Sequence, residues 1–147
     1  MIPRAEPDYH PEYSYVVAAL IRRFHEAKIS GASNVVVWGT GTPRREFLYV
    51  DDLADACIHL MKTYSSAELV NIGTGEDITI AEFARVVAEA VGYQGKMSFD
   101  TSRPDGTPRK LLDVTRLAKL GWRASTSLQD GIKLAYQAYL AERGERG

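Results

Sequence analysis

Cysteine occurs once in these 147 residues, at Cys57, which excludes an internal disulfide and a cysteine-based zinc site. It falls among Ala54, Ala56, Ile58 and Leu60 on a predicted helix, where a lone cysteine is expected to be a small buried hydrophobe. An excess of one charge is missing too: 18 Lys and Arg stand against 19 acids, a net of −1. A nucleic-acid binder working by bulk electrostatics would carry a basic excess, so that class is disfavoured. Long hydrophobic runs are absent, since Val16 to Ile21 is far too short to cross a bilayer. The opening MIPRAEPDYH lacks the basic start and apolar stretch of a signal peptide. The expectation is a reducing, cytoplasmic setting without membrane contact.

Catalytic signatures are also missing. Gly73-x-Gly75 would need a small residue at 78 to continue a dinucleotide fingerprint and has Ile78; Gly39-x-Gly41 meets Arg44 at the same place. No Walker-type phosphate loop occurs. His25-Glu26 is not followed by a histidine at 29, and the three histidines are too scattered to hold a metal by spacing. No tyrosine is followed four residues later by a lysine, the spacing that sets a phenol beside an ammonium on one helix face.

What is present fits one globular domain: the apolar fraction is 45%, too high for a disordered chain. Residues 1–13 read as an extended lead-in. Ser14 is placed to cap a helix to about Lys28, with Val17, Leu20, Ile21, Phe24 and Ala27 on its inward stripe and Arg22, Arg23 and His25 off it. Asp51 or Asp52 is placed to cap a helix from Leu53 to about Tyr64. Residues 69–72 read as a short strand. Thr79 with Glu82 forms a capping box for a helix stopped by Gly92, Lys96 to Asp100 reads as a strand, and Ser127 opens a last helix. Residues 143–147 are a charged tail. Alternating helices and short strands place the chain in the α/β or α+β classes.

Two cationic stretches stand out. In VVVWGTGTPRREFLYVDD, residues 35–52, a β-branched run ending in Trp38 reads as a buried strand. A glycine-rich turn bearing Arg44 and Arg45 follows, then a second strand from Phe47 to Val50. An arginine so projected is a planar fork suited to phosphate oxygens, and Trp38 offers a face for a base or sugar. In SRPDGTPRKLLD, residues 102–113, prolines hold Arg103, Arg109 and Lys110 on a stiff loop that gives up little entropy on binding. Together the two stretches could clamp a small polyanion.

The segments WGTGTPRREFLYVDDLADACIHLM, VNIGTGEDITIAEFARVVAEAVGYQG and FDTSRPDGTPRKLLDVTRLAKLGW resemble the C-terminal half of GDP-L-fucose synthases, which are extended short-chain dehydrogenase/reductases. The match runs from about Asp8 to Leu140, and DGTPRKLLDV is its most specific part. The resemblance implies an α/β fold, the substrate-binding portion of such an enzyme over residues 14–142, with short strands, about five helices and the Rossmann half absent. It implies chemistry on GDP-4-keto-6-deoxy-mannose: two epimerisations, then reduction by NADPH. The cofactor glycines, the Ser, Tyr and Lys of reduction and the epimerisation cysteine belong to the half without a counterpart here, so no cofactor-binding residue is assigned.

Carried over by position, Arg23, Trp38, Arg45 and Lys110 are the implied substrate contacts. Where the family has an acid histidine in Ser-His-Val, this chain has Ser14-Tyr15-Val16. A phenol titrates near 10 against about 6.5 for imidazole, so Tyr15 would exchange protons poorly at neutral pH; His10 is out of register. Partners implied are a GDP-sugar and either a separate Rossmann subunit or a second copy, docked where the helix from Leu53 and the strand at 69–72 leave apolar surface bare. The alternatives are a non-catalytic nucleotide-sugar module or a relic interaction domain.

Overall fold

The computed structural model describes residues 15–144; the lead-in, Ser14 and the last three tail residues lie outside that range. In chain order the described elements are α1 Val16–Ser30, β1 Asn34–Trp38, β2 Arg44–Arg45, α2 Val50–Thr63, β3 Ile78–Thr79, α3 Ile80–Val91, β4 Lys96–Asp100, β5 Arg109–Lys110, α4 Thr115–Lys119 and α5 Leu128–Glu142. The architecture is α/β, with five helices around short strands.

Helical periodicity explains the main core. Val17, Leu20, Ile21, Phe24 and Ala27 recur every three or four residues along α1 and are all buried. On α3 the same spacing buries Phe83, Ala84, Val87 and Val91, and both halves of the Thr79–Glu82 capping box form. On α5 it buries Ile132, Ala135, Tyr136, Tyr139 and Leu140 behind a Ser127 cap. These three helices pack around the inward side of β1, where Val35 and Val37 are buried. β1 pairs in parallel with β4, from Asn34 opposite Lys96 to Trp38 opposite Asp100.

Several expectations change. β1 is buried on one face only, leaving Val36 and Trp38 exposed. The second strand expected from Phe47 to Val50 does not form, and β1 and the two-residue β2 lie in different sheets, β2 being the centre of a β3-β2-β5 sheet. Phe47 to Tyr49 instead leads straight into α2. That helix begins at Val50, with Tyr49 at its N-cap making no side-chain capping bond, so Asp51 and Asp52 sit in the first turn. Asp52 is buried and accepts hydrogen bonds from the Ser125 hydroxyl and from the Thr126 amide and hydroxyl. It thus anchors the start of α2 to the loop before α5.

His25 is buried, its Nδ1 3.0 Å from the Tyr136 hydroxyl, because α5 widens the covered face of α1. Cys57 is exposed, since the inward flank of α2 is the one carrying Ala56. Tyr15 takes the N-cap position of α1 with no side-chain capping bond.

Residues 69–72 form no strand, because no described strand lies alongside to pair with them. Val70 and Ile72 pack against a second apolar cluster of Leu48, Ala56, Leu117 and Trp122. Leu69 (92% exposed), Met61 (84%) and Ile58 (51%) remain bare. Among the described residues no helix is long and apolar enough to cross a membrane.

Candidate functional site: two cationic pairs joined by one loop

The second sheet brings the two cationic stretches side by side. β2 pairs with β5 in parallel, Arg44 opposite Arg109 and Arg45 opposite Lys110. Side chains alternate across a strand, so the four cations separate into two pairs on opposite faces. Arg44 and Arg109 share one carboxylate. Arg44 Nε donates to Asp77 Oδ1 at 2.8 Å, its NH2 group donates to the Asp77 carbonyl, and Arg109 Nε donates to Asp77 Oδ2. The Asp77 side chain is only 5% exposed. Its hydrogen bonds from Arg44 and then Arg109 hold its pKa below the ordinary carboxylate range.

On the other face Arg45 donates to the Arg44 carbonyl at 2.7 Å. Among the described residues neither Arg45 nor exposed Lys110 has a carboxylate partner. Backbone spacing between adjacent strands is about 4.8 Å, so the two cations on these register-paired residues are close enough for one small polyanion to meet both.

Arg23 and Trp38 form a second cluster. The Arg23 guanidinium lies 4.4 Å from the Trp38 ring centroid and donates to the Val36 carbonyl at 3.3 Å. Partial burial lowers the Arg23 pKa, though arginine stays charged at any physiological pH. The segment between β4 and β5 links the clusters. Asp105 accepts from the Thr40 amide at 2.7 Å and the Thr40 hydroxyl at 2.8 Å, and the next residue, Gly106, lies beside the Arg45 guanidinium. The structure thus pairs Arg45 with Lys110 in the second sheet and Arg23 of α1 with Trp38 at the end of β1, and the segment between β4 and β5 contacts the chain at both places. Tyr15 is not joined to them: it is 87% exposed, and its hydroxyl makes no hydrogen bond among the described residues.

Sequence reasoning missed the acids that build the site. Asp77 and Asp105 act at long range and carry no local signature. Glu46 is a third. It accepts from the Thr74 and Gly75 amides, the latter at 2.8 Å, and from the Leu112 amide at 3.0 Å. It thereby joins the glycine pair at 73–75 to the strand end beyond Lys110.

A Cβ on Gly73 would overlap the Glu46 carboxylate, as one on Gly39 (φ +87°) would overlap Asp105. Both glycine turns are thus filled by an internal carboxylate. A dinucleotide pyrophosphate would meet like charge there, so these residues do not fit NADPH. A cavity of about 860 Å³ is lined by Arg44, Arg45 and Asp77 together with Phe47, Leu117 and Trp122, and includes neither Trp38 nor Lys110. No described cluster of His, Cys, Asp and Glu could hold a metal ion.

This fold and sheet arrangement is that of the C-terminal portion of an extended short-chain dehydrogenase/reductase. The NAD dependent epimerase/dehydratase family is matched over residues 3–73. The chain is similar to GDP-L-fucose synthases and aligns with the C-terminal half of those relatives.

It is 58% identical over 133 residues to GDP-L-fucose synthase 1 of Arabidopsis thaliana, covering 90% of this chain and 41% of that protein. To the GDP-L-fucose synthase of Escherichia coli it is 52% identical, covering 90% of this chain and 44% of that protein. Among solved structures, a GDP-L-fucose synthetase from Naegleria fowleri bound to NADP superposes with a TM-score of 0.86 at 27% identity, over 98% of this chain and 45% of that one. The chain spans about two fifths of the curated relatives it matches.

Proposed function

We propose that this chain provides the GDP-sugar-binding part of a GDP-L-fucose synthase-type, NADPH-dependent epimerase/reductase acting on GDP-4-keto-6-deoxy-mannose in the cytoplasm, and that it is inactive alone. Support comes above all from the β2–β5 register, which sets Arg45 beside Lys110 with no carboxylate among the described residues in an ion pair with either. In this reading Arg45 grips the diphosphate as a fork and Lys110 adds a mobile point charge. Trp38 is the platform for base or sugar, and Arg23 braces its ring.

Hydride transfer requires a nicotinamide held against the ketone, and the described glycine turns are filled by carboxylates. Tyr15, at the family's acid position, would donate a hydrogen bond but exchange protons slowly at neutral pH. Reduction therefore depends on a Rossmann-type polypeptide or a second copy docking on the bare surface of Ile58, Met61 and Leu69.

Purified chain should bind GDP weakly in a calorimetric titration, because half a site leaves much of the ligand in water. It should oxidise no NADPH in the presence of the keto-sugar. NADPH consumption by the chain alone would refute the inactivity, and GDP binding that survives loss of both Arg45 and Lys110 would refute the site.

A further inference from the structure

Trp38 and Asp100 are register partners at the end of the β1–β4 ladder, and the chain turns sharply after Asp100. The Arg103 amide donates to the Asp100 carbonyl, and the Ser102 amide and hydroxyl donate to Asp100 Oδ1 at 3.0 and 2.6 Å. The root of Arg103 is thus pinned beside the indole. Its head is not: the side chain is 56% exposed, and its one ion pair among the described residues, to Asp100, is long at 3.8 Å.

That guanidinium lies 4.8 Å from the Trp38 ring centroid. Arg23, the other cation on this ring, is shorter-ranged and tied to a carbonyl. One cation on the indole is hydrogen-bonded to the backbone of β1 and the other is held only by a long ion pair.

We propose that Arg103 is the movable half of a base clamp, the nucleoside base entering between its guanidinium plane and the Trp38 ring. This rests on the GDP-sugar reading and adds the residue that selects for the base. Two stacked layers at van der Waals contact need a gap of roughly 7 Å, so the guanidinium retreats by roughly 2 Å from its present 4.8 Å position. The pinned root and the long ion pair allow that movement.

Bases stack on guanidinium planes as well as on aromatic rings. The clamp exchanges one exposed cation–π contact for two stacking faces. A purine, with its larger face, gains more than a pyrimidine.

The test is calorimetric titration of the full chain and of Arg103→Ala and Arg103→Lys with GDP, UDP and inorganic pyrophosphate, circular dichroism confirming that both variants keep the fold. The expected result is a five- to tenfold loss of GDP affinity in Arg103→Ala, a smaller loss for UDP and none for pyrophosphate. Lysine, which keeps the charge but not the plane, should fail to rescue. Equal losses for GDP and pyrophosphate, or rescue by lysine, would make Arg103 only a phosphate-attracting charge and overturn the clamp. So would unchanged or tighter GDP binding by Arg103→Ala, which would mean that the base displaces Arg103 or never meets it. A wild-type chain that binds pyrophosphate and GDP equally refutes the clamp while sparing the diphosphate site; one that binds neither refutes both.

Discussion

The two faces of the β2–β5 ladder hold the same kinds of side chain and use them differently. On one face Arg44 and Arg109 converge on Asp77, whose two oxygens divide between them, so both charges go into joining strands from distant parts of the sequence. On the other, Arg45 and Lys110 have the same backbone spacing and, among the described residues, no carboxylate in an ion pair with either. Tandem basic residues therefore contribute one structural and one available cation from each strand, separated by strand alternation alone. An arginine doublet in an alignment has the same dual character: its two members are not interchangeable.

The largest effect that would test this contrast is on ligand binding. Arg45→Ala should weaken GDP binding about 10- to 100-fold, the range for one charge-assisted hydrogen-bonding group, with the melting temperature nearly unchanged. Lys110→Ala should cost less, about fivefold, because an exposed ammonium acts mainly as a point charge; it should also flatten the salt dependence of binding, followed by titration at rising ionic strength. If Arg44→Ala lowered GDP affinity as much as Arg45→Ala without lowering the melting temperature, the division of labour would be wrong.

Stability changes should fall on the Asp77 face. Asp77→Asn leaves two guanidiniums facing each other and should lower the melting temperature in calorimetry. The dependence on pH has a defined sign. The native Asp77 carboxyl is depressed, so between its native and unfolded pKa values the unfolded chain binds more protons and stability rises with pH. The contribution is complete above about pH 4 and disappears as the pH falls through the native value. Wild type and Asp77→Asn should therefore differ most at neutral pH and converge in strong acid. Smallest of all, Thr79→Ala removes half of the capping box and should cost about 1 kcal/mol of stability in denaturant titrations, with GDP affinity unchanged.

Elements with a local signal were legible in the sequence. The stripes of α1, α3 and α5, the Thr79–Glu82 box and the β1 and β4 strands depend on spacings within a few residues, and all are present. Two-residue strands have no period to detect, so β2, β3 and β5 were invisible, and a strand was expected at Phe47 to Val50, where the chain runs into α2. Residues 69–72 show the converse, a strand-like pattern without a described neighbour to pair with. Asp52 and Cys57 were misread together because α2 turns Ala56 inward, so a polar side chain is buried and an apolar one exposed. At the site, arginine chemistry and family likeness pointed to Arg45 and Lys110. The carboxylates that hold their surroundings, Glu46, Asp77 and Asp105, are contacts between distant positions that no local pattern encodes.

The gap between Arg45 and Lys110 is fixed by backbone hydrogen bonding rather than by the helices that separate them along the chain. Exchanges on the solvent faces of α2 and α3 leave that gap unaltered, provided Asp77 and the Gly73–Gly75 turn still hold the strands together. The exposed helical surface between the two strands is thus free to diverge and to acquire new neighbours while the spacing of the two cations is kept.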